Sequence, residues 1–148
     1  MHSFSSCLVH CVWSTKDRAP LLDSNLRSRL WPYFGGIARE NKMKALAVGG
    51  AADHVHILVS LPTTLSVAKA IQLLKGNSSK WIHEAFPRLR RFEWQAGYGA
   101  FSIAISGVAA TSSYIHRQDI HHKTRTFRGE FQAMLEKHNL AYADRMFD

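Results

Sequence analysis

The sequence has few of the features that mark secreted and membrane proteins. Two of its 148 residues are cysteine and four are proline, and no apolar run approaches the roughly 20 residues that a membrane-spanning helix needs. The first residues contain no basic leader, so we expect no secretory signal. These absences predict a cytoplasmic protein without a membrane partner.

Both cysteines lie in one predicted strand, four residues apart. At this spacing Cys7 and Cys11 face the same side of the strand but lie too far apart along it for an easy disulfide. We interpret them as reduced thiols in the core. A Cys–His metal site that includes His10 is the minor alternative, because the chain offers no second pair of ligands.

Acidic residues are scarce relative to basic ones. The 19 lysines and arginines against 11 aspartates and glutamates give a net charge of +8. Such a charge favours a polyanionic partner, since each phosphate contact releases condensed counterions, although solubility alone also explains it. A glycine-rich phosphate loop is also missing from the sequence.

Hydrophobic periodicity predicts strands and helices within one domain that spans residues 1–148. Strands are expected at 4–14, 44–49, 53–61 and 98–105. Helices are expected after a cap at Asp23 or Ser24, over about 66–86, from Gly107 to about Asp119 with Ser106 as its cap, and from about Phe127 to His138. Pro32 falls inside the first helix, where an interior proline costs about 3 kcal/mol, so we expect a kink or a late start there.

The order of these elements is typical of an α+β fold, the ferredoxin-like or RRM-like βαββαβ sandwich. A short link at Gly49 and Gly50 predicts a hairpin and hence an antiparallel four-stranded sheet. The helix after Gly107, our candidate catalytic helix, and a further C-terminal helix complete the chain. We expect the first two helices on one face of the sheet and ligands on the other.

His54 and His56 are the strongest local indication of chemistry. Residues two apart on a strand point the same way, with Cβ atoms about 7 Å apart, so the two imidazoles can converge on one divalent ion. Asp53 is a candidate to orient a histidine or to bind the metal itself. The alternative is a partly exposed strand that merely carries polar histidines.

Tyr114 and Gln118 lie four residues apart, and therefore on one face of the predicted third helix. A glutamine carbonyl is a fair oxygen ligand for a metal, and a tyrosine hydroxyl can act as a covalent nucleophile. The alternative for Tyr114 is an aromatic side chain that only packs.

Several segments together resemble a known family. The segments are HCVWSTKDRAPLL, GGAADHVHILVSLP, LLKGNSSKWI, WQAGYGAFSIAIS and SYIHRQDIHHKTRTFRGEFQAMLEKHNL. In this order they are similar to the single-tyrosine transposases of the HUH nuclease superfamily. These are transposase A of the smallest insertion sequences and the REP-associated tyrosine transposases. Ala52 stands where the family often has proline.

The resemblance implies a role for each candidate residue. His54 and His56 would be the metal pair, Gln118 the third ligand and Tyr114 the nucleophile of a DNA transposase. It also implies Mg²⁺ or Mn²⁺, single-stranded DNA with hairpin ends, a 5′-phosphotyrosine intermediate and a homodimer, in which each tyrosine helix can complete the other subunit's site. By ligand preference, two imidazoles suit Mn²⁺ better than Mg²⁺.

Basic side chains near the candidate segments are expected to contact DNA, which implies a nucleoid-associated protein. Tyr98 or Trp94 is a candidate for stacking on bases, whereas Trp13, Trp31 and Trp81 are assigned to the core. The candidate phosphate contacts are Lys16, Arg18, Lys75, Lys80, Arg88, Arg90, Arg91, Arg117, Lys123 and Arg125.

Three other functions remain open from the sequence. A histidine-triad nucleotide hydrolase is disfavoured, because Leu58 occupies the position of its third histidine. A non-catalytic nucleic-acid-binding module would need exposed aromatic residues on the central strands, where this chain has His54 and His56. The third alternative is a domesticated transposase that binds repeats for its host.

Overall fold

A computed structural model describes residues 2–118 and 126–141 of the chain. Its main elements are, in order, β1 (Leu8–Ser14), α1 (Ser24–Glu40), β2 (Lys44–Gly50), β3 (His54–Ser60), α2 (Val67–Ala85), β4 (Gly99–Ile103), α3 (Val108–His116) and α4 (Phe127–Lys137). Within the described ranges, none of the helices has the length and apolar character needed to cross a bilayer.

The four strands form one antiparallel sheet in the order β2-β3-β1-β4. This arrangement confirms the predicted ferredoxin-like α+β fold. β3 lies between two neighbours, so six of its seven residues are buried. The histidines of β3 are therefore fixed to a rigid central strand.

The main core lies between α1, α2 and one face of the sheet. Val9, Cys11 and Trp13 of β1 and the alternating Val55, Ile57 and Val59 of β3 face this layer. They meet the apolar stripes of the two helices, which consist of Leu26, Leu30, Phe34 and Ile37 in α1 and Ala70, Ile71, Leu74 and Ile82 in α2. Burial of each large apolar side chain contributes about 1.5–3 kcal/mol, so this layer is the main source of stability.

The helix termini agree only in part with the sequence predictions. Asp23 Oδ1 accepts a hydrogen bond from the Leu26 amide, and Ser66 Oγ accepts one from the Lys69 amide, so α1 and α2 begin where expected. The prediction of Ser106 as the cap of α3 was wrong, because Gly107 holds that position without a side-chain bond. α3 ends at His116, before the predicted boundary.

α1 runs from Ser24 to Glu40 as one helix across Pro32, so the predicted late start was wrong. Proline removes the hydrogen bond to the carbonyl four residues earlier, here that of Ser28. Both Pro32 and Ser28 are exposed, so water can solvate this carbonyl. The buried stripe on the opposite side of the helix continues without interruption.

The first predicted strand begins later than expected. β1 starts at Leu8, which pairs with the last residue of β3, Ser60. Before it, the Cys7 carbonyl still accepts a hydrogen bond from the Leu61 amide. Phe4 is 93 % exposed. Cys11 is buried and Cys7 is exposed, both as free thiols, so the placement of Cys7 in the core was wrong.

The second face of the sheet is covered, although we expected it to be open. Ile115 of α3 packs on Ala47 and Leu58, while Phe127 of α4 packs on Val12 and Phe101. The chain therefore forms three layers, with the sheet in the middle. The face that carries His54 and His56 is the one covered by α3 and α4.

Candidate metal and nucleophile site

The two histidines of β3 point to the same side of the sheet and are fully buried. Their ring centroids lie 5.2 Å apart. His54 Nδ1 lies 2.8 Å from Asp53 Oδ1, the contact expected if Asp53 orients this histidine. His54 Nε2 lies 3.1 Å from Gln118 Oε1. His54 therefore contacts both Asp53, the predicted orienting carboxylate, and Gln118, the predicted third ligand.

Tyr114 reaches this pair because α3 packs closely on β2. Gly49 lies opposite His56 in the ladder between β2 and β3. A Cβ atom at Gly49 would overlap the carbonyl oxygen of Ile115, so the missing side chain lets the backbone of α3 touch the sheet. The ring centroids of Tyr114 and His56 lie 5.7 Å apart within the same chain.

Glu130 of α4 completes the cluster and was not among the predicted site residues. Its side chain is 2 % exposed, and Oε1 lies 3.1 Å from His56 Nε2 while Oε2 lies 3.8 Å from His54 Nε2. The hydroxyl of Tyr114 donates a hydrogen bond to Glu130 Oε1. One carboxylate thus contacts both histidines and the candidate nucleophile.

His10 of β1 is the second residue that sequence reasoning missed at this site. Its Nε2 lies 2.8 Å from His56 Nδ1. Burial, with a further contribution from the neighbouring His56, lowers the pKa of His10 from 6.5 to about 3. His10 is therefore a neutral imidazole at physiological pH.

The cluster fits a divalent cation. Candidate ligand atoms of His54, His56 and Glu130 all lie within 4.8 Å of one another. The separations of 3.1 and 3.8 Å between the histidine nitrogens and the Glu130 oxygens suit atoms that share an ion with bonds near 2.1 Å. The amide oxygen of Gln118 is a further ligand within reach. Imidazole nitrogen together with amide and carboxylate oxygen is a donor set that suits Mn²⁺ and, less strongly, Mg²⁺.

A cavity of about 280 Å³ between α3 and α4 gives access to the cluster. Tyr114, Glu130 and His10 line its inner end, and Thr111 of α3 and Lys137 of α4 also contribute. The half-buried Tyr114 is therefore accessible to a ligand that enters between the two helices.

Comparison with known proteins identifies the family of this chain. The family model described as "Transposase IS200 like" matches residues 3–118. The chain belongs to the IS200-like transposase family. The matched region contains Asp53, both β3 histidines, Tyr114 and Gln118, and it ends before Glu130.

Individual relatives cover most of this transposase. It is 25% identical over 114 residues to the ISDra2 transposase TnpA of Deinococcus radiodurans. This match covers 74% of this chain and 81% of the relative. It is 26% identical over 122 residues to the transposase for insertion sequence element IS200 of Salmonella typhimurium. This match covers 79% of this chain and 80% of the relative.

Two solved structures share its fold. A crystal structure of a transposase-like protein from Deinococcus radiodurans R1 has a TM-score of 0.67 at 24% identity and covers 80% of this chain and 95% of that chain. The structure of a REP-associated tyrosine transposase bound to a REP hairpin has a TM-score of 0.61 at 14% identity. The match covers 82% of this chain and 72% of that chain.

The predicted DNA-contacting residues of the transposase are spread over both faces of the sheet. Arg117, next to Gln118, is exposed close to the cluster. Lys16 and Arg88 form exposed ion pairs with Glu93 and Asp23 around a separate cavity that Arg91 also lines. Arg90 and Lys80 are exposed and Arg18 is half-buried, while Lys123 and Arg125 lie outside the described residues.

Lys75 has a structural contact that the sequence did not predict. Its Nζ donates hydrogen bonds of 2.6 and 3.0 Å to the carbonyls of Gln95 and Gly97. Partial burial lowers the pKa of Lys75. These bonds tie α2 to the segment before β4, on the opposite side of the sheet from Tyr114.

Trp94 is not available to stack on DNA bases, so that candidate was wrong. It is only 9% exposed and its indole nitrogen donates a 3.0 Å hydrogen bond to Ser78 Oγ. Tyr98, the other stacking candidate, is 42% exposed. Trp13 is buried, and Trp31 and Trp81 are half-buried against the same core, as predicted.

Proposed function

We propose that this transposase cuts and rejoins single-stranded DNA by metal-dependent transesterification, with Tyr114 as the nucleophile. The observation that carries the proposal is the contact of Glu130 with both the Tyr114 hydroxyl and the imidazole pair. It joins a potential nucleophile and a potential metal site within one buried cluster. Membership of the IS200-like family supports the same chemistry.

The metal site would consist of His54, His56 and one or both of Gln118 and Glu130. A bound Mg²⁺ or Mn²⁺ would polarise and align a non-bridging oxygen of the scissile phosphate. The carboxylate of Asp53 beside Nδ1 of His54 favours the tautomer with its proton on that nitrogen, and Nε2 then faces Gln118 and Glu130. This orientation is the one that metal binding requires.

Tyr114 would attack the phosphorus through its hydroxyl oxygen. A new bond from phosphorus to the tyrosine oxygen forms, the bond from phosphorus to the 3′ oxygen breaks, and a 5′-phosphotyrosine results. The phenolic proton passes to Glu130 Oε1, which already accepts it in a hydrogen bond. The departing 3′ oxygen takes a proton from water, and rejoining by a 3′-hydroxyl reverses these steps without ATP.

The DNA would enter through the cavity between α3 and α4. Lys137 at this cavity and the nearby Arg117 are cations suited to backbone phosphates. The bound hairpin in one structural relative supports a hairpin substrate for this chain as well. Because Tyr114 lies beside His56 of its own chain, catalysis within one subunit is the arrangement we propose, in a homodimer.

The proposal is tested with end-labelled, hairpin-forming single-stranded DNA from the flanks of the gene, incubated with Mn²⁺. Wild-type protein should form a covalent DNA adduct that survives denaturation. Tyr114→Phe should lose the adduct and keep hairpin binding, because only the phenolic oxygen is removed. An undiminished adduct in Tyr114→Phe would assign the nucleophile to another residue.

The role of the metal needs its own variant. His56→Ala should lose metal-dependent cleavage, since one of the two imidazoles is missing. Cleavage that persists in this variant would contradict the metal assignment. Hairpin binding without cleavage in the wild type would instead favour a domesticated, repeat-binding transposase.

A further inference from the structure

Both histidines of β3 turn the same ring nitrogen, Nδ1, towards a neighbouring polar side chain and away from the candidate oxygen ligands. Nδ1 of His54 lies 2.8 Å from Asp53 Oδ1, and Nδ1 of His56 lies 2.8 Å from His10 Nε2. The Nε2 atoms of both rings face the oxygen ligands, at 3.1 Å from Gln118 for His54 and 3.1 Å from Glu130 for His56. Different partners thus hold the two rings so that each presents the same nitrogen, Nε2, to the candidate ligands.

The strand register explains the position of His10. In the ladder between β1 and β3, His10 pairs with Leu58 and Val12 pairs with His56, so His10 and His56 are diagonal neighbours on one face. Diagonal side chains are within reach of each other when they are long or aromatic. The ring centroids lie 5.0 Å apart, and edge contacts with Phe101 and Tyr114 fix the position of the His10 ring.

Metal binding decides which nitrogen carries each proton. A metal at His56 Nε2 takes the lone pair of that atom, so the proton of a neutral His56 must be on Nδ1. A buried N–H without an acceptor is unfavourable, because it loses its hydrogen bond to water and gains none in the protein. His10 Nε2 is placed to accept this bond, and it can do so only when the proton of His10 is on its own Nδ1.

We propose that His10 is a positioning residue of the metal site, whose Nε2 accepts the hydrogen bond of His56 Nδ1–H and directs His56 Nε2 towards the metal. This inference rests on the proposed function, since it assumes that His56 binds a metal. His10 does for His56 what Asp53 does for His54. An apolar side chain would fill the same space without providing the acceptor.

Calorimetric titration with Mn²⁺ alone tests this role. His10→Phe removes the acceptor and should weaken Mn²⁺ binding about 10–100-fold, the usual effect of losing a hydrogen bond to a metal-binding histidine. His10→Gln supplies an amide oxygen in place of Nε2 and should restore most of the affinity. His83→Phe is the matched control, because His83 contacts the Phe92 carbonyl from α2, on the other side of the sheet.

A second measurement needs no substitution, so it holds even if His10→Phe does not fold. Long-range ¹H–¹⁵N spectra of the wild-type protein loaded with diamagnetic Zn²⁺ should show the protons of both His10 and His56 on Nδ1. A proton on Nε2 of His10 would overturn the proposal, as would His10→Phe that folds and binds Mn²⁺ as tightly as the wild type. Wild-type protein that binds no metal would refute the proposed metal site itself, and this inference with it.

Discussion

Substitution of Gly49 by alanine should separate the placement of Tyr114 from the chemistry of the site. A Cβ atom here would overlap the Ile115 carbonyl oxygen and would lie 3.0 Å from Ile115 Cγ2. The overlap is with backbone, so a rotamer change cannot relieve it and α3 must move away from β2. Overpacking of this kind costs about 1–3 kcal/mol.

In a domain of this size, each kcal/mol lost from the free energy of unfolding should lower the melting temperature by about 2–4 °C. The expected loss of activity is larger, because a displacement of about 1 Å at a reacting group can reduce the rate about 100-fold. Thermal unfolding followed by circular dichroism, and adduct formation at a temperature where the variant stays folded, measure the two effects.

Gly76→Ala is the matched control for this substitution. Gly76 lies in the interior of α2, and no atom lies within 4 Å of an added Cβ. The variant should gain up to about 1 kcal/mol through better helix propensity and keep its activity. If Gly49→Ala matched the wild type in both stability and adduct formation, the close contact of α3 with β2 would be refuted.

Three further predictions concern titratable and metal-binding groups. Glu130→Gln should bind Mn²⁺ at least about 10-fold more weakly in calorimetry, since it replaces a carboxylate oxygen by an amide; unchanged affinity would remove Glu130 from the metal site. The pKa of His10 is about 3 in the folded chain against 6.5 for the free side chain. The unfolded chain therefore binds more protons between these values, and the free energy of unfolding should fall as pH is lowered from about 6.5 towards 3, by up to about 1.4 kcal/mol per pH unit. In urea denaturation of metal-free protein, His10→Gln should show a flatter pH dependence over this window, and identical curves would contradict the assignment. Burial raises the pKa of the Cys11 thiol to about 12, so a thiol reagent should modify the exposed Cys7 alone in native protein and both cysteines after unfolding; rapid native modification of Cys11 would contradict its burial.

The parts of the fold that were predictable from sequence are those with a strong local pattern. The alternation of Val55, Ile57 and Val59 identified β3, because one face of a strand is buried at every second residue. The four-residue spacing of Leu26, Leu30 and Phe34 identified α1, because one face of a helix is buried about once per turn. The same stripe lets α1 begin at Ser24 and continue across Pro32, where the proline alone favoured a late start. Tertiary burial here outweighed the lost backbone hydrogen bond.

Local patterns did not predict that α3 and α4 cover the second face of the sheet, or that Glu130 and His10 belong to the cluster. Glu130 did give a signal, since it interrupts the apolar stripe of Phe127, Phe131 and Met134, and a charge in such a stripe is buried only with a partner. His10 alternates with Leu8 and Val12 in β1 and gave a weaker signal. Their histidine partners are 46 or more residues away in the chain, so only the sheet register and helix packing reveal them.

Mapping of the DNA-bearing residue by tandem mass spectrometry tests the central claim most directly. Wild-type protein that has reacted with hairpin DNA and Mn²⁺ is digested with nuclease and protease, and the modified peptide is sequenced. We predict one nucleotide attached through its 5′ phosphate to Tyr114. Attachment to another residue, such as the exposed Tyr98, or cleaved DNA without any attached nucleotide, would contradict the claim.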